Sequence, residues 1–255
     1  MNPIIVTFVS EPYIPVGLNW LKAISALETG ANIRIIALDE ATKNAFPEPV
    51  ILYRPVESGG LAGLWVHRTA VLRELLDQGF GVIHSDADAI WVRNPLPMME
   101  ACGTEMVFSQ GTVWPPDVHA RRGIVVCCGL FYMRSTPAVR GFMVKAQQQV
   151  TRDMEVDKGL DDQVAINRLI DQDLIKWVAT GKTYDIEFRG LKFSASHSTI
   201  LGESVGGPTV AVLPHHLFPR VVTEISPEMM VAHPFSGKTC AEKVEVLSKL
   251  GLWQV

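Results

Sequence analysis

Short apolar runs alternate with longer stretches in which apolar residues recur every three or four positions, and this rhythm begins near the N-terminus. Residues 3–9 form a β-branched apolar run that ends at Ser10-Glu11-Pro12, the pattern of a buried strand leaving a sheet. Leu18, Leu21, Lys22, Ile24, Ser25 and Leu27 then keep a helical spacing that Gly30 closes, and Ile33 to Leu38 is a second buried strand stopped by Asp39-Glu40. After this β-α-β opening, Pro47-Glu48-Pro49 precedes a brief strand from Val50 to Tyr53, and Ser58-Gly59-Gly60 marks a loop. From Leu61 to Leu76 the apolar positions fall largely on one helical face. Gln78-Gly79 ends that helix, and Phe80-Gly81-Val82-Ile83 runs as a strand straight into Ser85-Asp86-Ala87-Asp88.

Farther along, Asn94-Pro95-Leu96-Pro97 predicts a turn, Met106 to Ser109 a strand, and Gln110 to Gly123 a polar, proline-bearing loop of a length that suggests binding. Ile124 to Met133 predicts a strand, a helix follows Pro137, and another runs from about Asp161 to Ile170. Short strands fall near 174–178, 184–188 and 209–213, and a last helix covers about 239–249. There is no internal repeat, low-complexity tract or linker, so a single domain over residues 1–255 is expected. The order of elements predicts an α/β fold with a mostly parallel sheet flanked by helices on both faces. Ligands in such folds sit at the carboxyl ends of strands, and Asp86 stands at one.

Composition narrows the function classes. A chain of 255 residues that is 47% hydrophobic buries a sizeable core. Its net charge of -4, with no long Lys/Arg run, argues against nucleic acid as a partner. The first nine residues lack a basic segment and turn polar at Ser10-Glu11, and no later run reaches membrane-spanning length, so neither a signal peptide nor a transmembrane segment is expected. The four cysteines, at 102, 127, 128 and 240, show no CxxC spacing and are expected to be packed thiols in a cytoplasmic protein.

Asp86 and Asp88 are the first candidate chemistry. Two carboxylates one residue apart, just past a strand, can share one hard cation that also holds two phosphate oxygens. The same pattern in an open loop is an ordinary solvated pair; here apolar runs on both sides place it at the edge of a sheet. Arg68, on the helix before the motif, is either a phosphate contact or an ion-paired surface residue. Asp161-Asp162 suits a helix N-terminus whatever the function. His197, His215 and His216 read as structural, and Trp114-Pro115-Pro116 either stacks a sugar ring or stiffens its loop.

The run from Leu75 through Gly79-Phe80-Gly81-Val82-Ile83-His84-Ser85-Asp86-Ala87-Asp88 to Ile90-Trp91-Val92-Arg93-Asn94-Pro95 resembles the signature of the nucleotide-diphospho-sugar transferase family that includes plant rhamnogalacturonan xylosyltransferases. Gly129-Leu130-Phe131-Tyr132-Met133-Arg134-Ser135-Thr136-Pro137, Asp161-Asp162-Gln163-Val164-Ala165-Ile166-Asn167, and His233 through Gly237-Lys238 to Gly251-Leu252-Trp253 agree with it in order. The resemblance implies a GT-A fold, with a donor-binding half at about 1–110 and an acceptor-side half at about 111–255. It also implies a divalent ion (Mn2+ or Mg2+), a nucleotide diphosphate sugar as donor, a glycan or other hydroxyl acceptor, and retention of anomeric configuration.

The resemblance makes Asp86, Asp88 and His233 the metal ligands, with Asp86 also at the diphosphate. Asp162 and Gln163 would lie at the anomeric carbon, and Thr7, Phe8, Val9 and Ser10 at the nucleoside. Gly237 would let backbone approach the β-phosphate, met by Lys238 or, because the spacing is longer than the family's, by Lys243. A lone His233 reads first as a buried structural histidine, and Gly237-Lys238 just behind it tips the reading toward a ligand. Cys127 and Phe235 stand where the family commonly has Asn, and a counterpart of the plant members' membrane anchor is not expected. Two other functions fit an acidic pair after a strand: a haloacid dehalogenase-like phosphohydrolase with Asp86 as nucleophile, and a noncatalytic nucleotide-sugar binding module.

Overall fold

The first strand, β1 (Ile4–Val9), splits its side chains between two layers. Ile4 and Val6 enter one apolar cluster, Ile5 and Val9 the other, as in a strand covered on both faces. The computed structural model describes residues 3–56, 60–157 and 159–255, the side chains of residues 60–62 excepted. Parallel to β1 on one side lie β2 (Asn32–Ala37) and then β3 (Ile51–Tyr53); on its other side lies β4 (Val82–Ser85). Beyond β4 the sheet continues through β7 (Val126–Met133), β6 (Met106–Gln110), β12 (Val210–Val212), β11 (Ile200–Ser204) and β8 (Leu174–Ala179). Of these nine strands only β7 and β11 run against the rest, so the sheet is mostly parallel, as expected.

Three helices, α3 (Gly60–Asp77), α6 (Pro137–Val156) and α7 (Asp162–Asp173), cover one face through Leu72, Leu76, Phe142, Met143 and Ile166. The other face packs on α1 (Ile14–Ser25) and α8 (Cys240–Lys249) through Trp20, Ile24 and Leu247. Shorter helices are α2 (Glu40–Ala45), α4 (Leu96–Ala101) and α5 (Pro116–Arg122). A hairpin of β9 (Thr183–Phe188) and β10 (Leu191–Ser196) stands apart from the main sheet, as does a short ribbon of β5 (Ile90–Trp91) with β13 (Val231–Ala232). No helix among the described residues is long and apolar enough to cross a membrane.

The structure departs from the sequence pattern mainly where a proline opens a helix instead of marking a loop. α1 starts at Ile14, with proline in its first turn, and α4 occupies the predicted turn at 94–97. The predicted loop at 110–123 contains α5, which begins at Pro116 and closes at Gly123 with φ 71°. Proline suits a helix's first turn, where its missing N–H has no partner to lose, and glycine suits the left-handed stop. β10 and β11 were not apparent as strands; the β9–β10 hairpin turns through Arg189-Gly190 with φ 52° and 75°. The predicted Ser58-Gly59-Gly60 loop lies largely outside the described residues, Gly60 being the first residue of α3.

The chain runs out from β1 to β3 on one side and returns to β4 on the other, so the carboxyl ends of β1 and β4 flank a topological switch point. Strand alternation then assigns the last two residues of β4 to opposite faces. His84 turns toward Phe8 and Phe131, and Ser85 toward α1. The fully buried Ser85 hydroxyl accepts from the indoles of Trp20 (3.0 Å) and Trp91 (3.1 Å) and reaches the Ala89 carbonyl at 3.3 Å, fixing the turn that carries Asp86 and Asp88. Ser85→Ala is expected to cost about 2–4 kcal/mol of unfolding free energy in urea titrations, because two buried donors lose their acceptor. A loss under about 0.5 kcal/mol, the scale of an indifferent surface change, would show that the hydroxyl does not hold the turn.

Candidate metal and substrate site

Residues from α3, β7, α7, α8 and the His233 loop meet around the turn that carries Asp86. The Asp86 backbone N–H donates to the Gly129 carbonyl at 2.7 Å, tying the acidic turn to β7. The β5–β13 ribbon pairs the residues just after Asp88 with those just before His233, so a two-residue ladder sets the histidine opposite the carboxylates. His233 Nε2 lies 3.7 Å from Asp86 Oδ2 and 3.4 Å from Asp88 Oδ1. Potential ligand atoms of these three side chains all fall within 4.8 Å of one another.

Each carboxylate divides its oxygens between the protein and this common point. Asp86 Oδ1 accepts from His84 Nε2 (2.9 Å) and Arg68 (3.1 Å), while Oδ2 faces His233. Asp88 Oδ2 accepts from Lys243 of α8 and from Ser236 Oγ (3.3 Å), while Oδ1 faces His233. Burial by itself would raise both carboxyl pKa values. The His84 hydrogen bond and the Arg68 charge at Asp86, and His233 and Lys243 at Asp88, outweigh it and hold both well below the usual range. Burial keeps His84 neutral, lowering its pKa despite Asp86.

These residues fit a divalent ion. Two ionised oxygens and one imidazole are a hard-to-borderline donor set, suited to Mn2+ and tolerant of Mg2+. Gly129 leaves the needed space: a Cβ there would sit 2.6 Å from Asp86 Oδ2 and closer still to His233 Cε1.

Arg68 is the buried hub of the other side. Its guanidinium, 7% exposed, donates from Nε and Nη2 to both oxygens of Asp162 (2.6 and 2.5 Å) and from Nη1 to Asp86. Its cationic face packs 4.5 Å from the centre of the Trp65 ring. Asp161 caps α7 by accepting from the Val164 N–H, which leaves Asp162 in the first turn, buried and facing Arg68. The helix-start reading thus holds for Asp161, while both oxygens of Asp162 are taken by Arg68.

The register of β7 slips against β6 beyond Phe108, so residues 128–130 leave the ladder. Side chains from α7 bond to this part of β7. Gln163 Oε1 accepts from Cys128 N–H at 3.0 Å, and Asn167 pairs with both the N–H and the carbonyl of Val126. The Gln163 amide also donates to the Trp114 carbonyl at 2.9 Å, so it braces the segment that presents Gly129 as well as lining the cleft.

Other sequence candidates lie elsewhere. The side chains of Thr7 and Val9 are fully buried, because β1 is covered on both faces; Phe8 is half-buried against His84, and Ser10 is half-buried at the strand's end. A Cβ on Gly237 would run into the Glu242 carboxylate, so this glycine makes room for the capping box of α8. Lys238 is exposed, and its carbonyl accepts from the Tyr13 hydroxyl. Of the two lysines, Lys243 is the one at Asp88. Arg220, which sequence reasoning missed, lines the cleft and donates to the His233 carbonyl at 2.9 Å. It sits between elements with no motif around it, so no local pattern marked it.

Arg68, Asp86, Asp88, Asp162, Gln163, His233 and Lys243 thus border one open cleft of about 570 Å³. An α/β sheet with an acidic, histidine-bearing cleft at its switch point places a candidate metal site where such folds bind their ligands. Residues 57–244 match the nucleotide-diphospho-sugar transferase family, and the chain belongs to it.

Among curated proteins the chain is similar to two UDP-D-xylose:L-fucose alpha-1,3-D-xylosyltransferases of Arabidopsis thaliana. One is 25% identical over 186 residues (64% of this chain, 52% of the relative), the other 25% over 192 residues (66% and 50%). The chain spans about half the length of these relatives. Among solved structures it is similar to the galactosyltransferase LgtC in complex with donor and acceptor sugar analogs (14% identity, TM-score 0.48, 65% of this chain and 70% of that one). It is also similar to mouse xyloside xylosyltransferase 1 (10% identity, TM-score 0.44, 68% and 82%).

Two outcomes follow from this geometry. Gly129→Ala is expected to weaken Mn2+ binding about 10- to 100-fold in calorimetry, the range seen when groups supporting metal ligands are disturbed, with the circular dichroism of the fold retained. Unchanged affinity would show that the metal does not sit beside this glycine. At His233, burial and Arg220 lower the imidazole pKa, but the hydrogen bond and charge of Asp88 prevail and raise it above 6.5. Since only neutral imidazole binds metal, affinity is full above that raised pKa and falls about tenfold per pH unit below it. Affinity that stays flat down to about pH 5.5 would remove His233 from the ligand set.

Proposed function

We propose that this chain is a metal-dependent, retaining glycosyltransferase of the GT-A type that uses a nucleotide diphosphate sugar. The observation that carries the reading is the division of oxygens at Asp86 and Asp88, which leaves one oxygen of each, with His233 Nε2, directed at a single point in the cleft. UDP-D-xylose is the first donor to test, because the curated relatives are named for it.

When bound, the divalent ion supplies Lewis acidity at the diphosphate and offsets charge on the leaving group. Asp86, Asp88 and His233 hold it, while Lys243 and Ser236 keep Asp88 in the productive orientation. Arg68 and Asp162, locked to each other, form the wall of the cleft where the sugar would lie. Gln163 beside them, or Asp162 itself, would stabilise positive charge at the anomeric carbon. Most of the rate would then come from preorganised electrostatics in a partly enclosed site. The acceptor is a glycan or another hydroxyl compound. Family membership leaves the phosphohydrolase reading without support, since the acidic pair follows the fourth strand of a sugar-nucleotide transferase chain.

The test is a panel of nucleotide sugars assayed with Mn2+ for thermal stabilisation and for transfer or hydrolysis of the donor. Stabilisation that needs both donor and metal is expected, as for ligands that bind only the folded state. Asp88→Asn keeps the side chain's size but removes its charge, and should lower turnover on the order of 100-fold or more. Full activity in chelator, or phosphate release from simple phosphomonoesters, would overturn the reading. Stabilisation by a donor that is never turned over would make the chain a binding module.

A further inference from the structure

Among the described residues, the cationic side chains of Arg68, Lys243 and Arg220 line the cleft, and the first two are already paired. Arg68 is held by Asp162 and Asp86, and Lys243 by Asp88. The third, Arg220, has no carboxylate partner among the described residues, although it is only half-exposed. Its contacts fix the side chain without neutralising it. The backbone N–H donates to His215 Nε2 at 3.3 Å, Nη1 donates to the His233 carbonyl at 2.9 Å, and the guanidinium packs 4.7 Å from the centre of the Phe235 ring. Phe235 is in turn held by Phe188 at the tip of the β9–β10 hairpin, with ring centres 5.3 Å apart. A guanidinium fixed this way loses little freedom on binding and keeps N–H donors for a planar, two-pronged contact.

We propose that Arg220 is an oxyanion-binding residue of this cleft, taking a phosphate or carboxylate oxygen carried by a substrate. Charge balance supports this. Four carboxylates line the cleft, Asp86, Asp88, Asp161 and Asp162, against the fixed charges of Arg68, Lys243 and Arg220. A divalent ion would make the ionised cleft net positive by one charge, and without Arg220 it would be neutral. The excess positive charge comes from Arg220, the cleft cation with no acid of its own among the described residues. Two substrate groups share the required chemistry: the diphosphate of the donor and the carboxylate of an acidic acceptor sugar.

The inference rests on the transferase reading, and the experiment separates the two. Binding of UDP to the unaltered protein in Mn2+ tests that reading first; no binding of UDP or of any nucleotide sugar sinks the reading itself. Arg220→Gln is then compared in three arms: UDP affinity in Mn2+, Mn2+ affinity alone, and transfer to uronic acid against the matching neutral sugar. A charged hydrogen bond of this kind is expected to be lost as about a 10- to 100-fold effect. A fall in UDP affinity assigns the oxyanion to the donor. Loss of a preference for the uronic acid, with UDP affinity unchanged, assigns it to the acceptor. Either supports the proposal, provided Mn2+ affinity stays within about twofold, a difference worth under half a kcal/mol. If UDP affinity and acceptor preference are both unchanged, or if Mn2+ affinity falls in parallel, Arg220 merely holds the His233 loop and the proposal is overturned. Should Arg220→Gln fail to fold, Arg220→Lys, which keeps the charge but not the fork, is read in the same arms.

Discussion

A guanidinium taken out of water must be met by anions at close range, and Arg68 meets that requirement with two carboxylates from parts of the chain that are distant in sequence. Asp162 arrives at the start of α7 and Asp86 at the end of β4, so one buried cation ties α3, α7 and the acidic turn together. Breaking such a buried arrangement by removing one partner typically costs about 3–5 kcal/mol, because the group left behind keeps its desolvation penalty. The bridge also settles which oxygen of Asp86 is available to anything else. With Oδ1 occupied by Arg68 and His84, only Oδ2 is left to face His233.

The same logic governs Asp88 from the opposite side. Lys243 and Ser236 take one oxygen and leave the other, so each acid is oriented before any ligand is present. Preorganisation of this kind matters for a metal centre, since supporting hydrogen bonds set both the geometry and the basicity of the ligands. The backbone contributes too. The departure of residues 128–130 from β6 brings Gly129 against His233 and Asp86, where a side chain would not fit, and the Gln163 amide satisfies the Cys128 N–H in the stretch that β6 does not pair. An unpaired N–H in that buried position would cost free energy comparable to a lost hydrogen bond.

Apolar packing explains why these polar groups can be so close to the core. The faces of the sheet are covered by α3, α6 and α7 on one side and by α1 and α8 on the other, and the polar residues gather only where the strands end. His84 and Ser85 mark the boundary. One faces the Arg68 side and supports Asp86, and the other faces the tryptophans and supports the turn itself.

How much of this could be foreseen depended on whether the signal was local. Strand runs such as residues 3–9, the amphipathic helix before Gln78-Gly79 and the acidic pair at the end of β4 are written in consecutive residues, because side-chain periodicity and turn chemistry act over a few positions. They sufficed for the α/β class, the mostly parallel sheet and the family. Helices opening at proline were misjudged because the same residue that breaks a helix interior suits its first turn, and only the surrounding chain decides which applies. The partners of the site were not local at all. That Arg68 belongs to Asp162, that Lys243 instead of Lys238 meets Asp88, and that Arg220 enters the cleft without an acid all depend on distances between segments up to 155 residues apart. The sequence by itself determined which chemical groups exist and where strands deliver them. Tertiary structure alone decided which charges neutralise one another and which are left for a ligand, because Coulomb and hydrogen-bond energies depend on separation in space, which spacing along the chain does not supply.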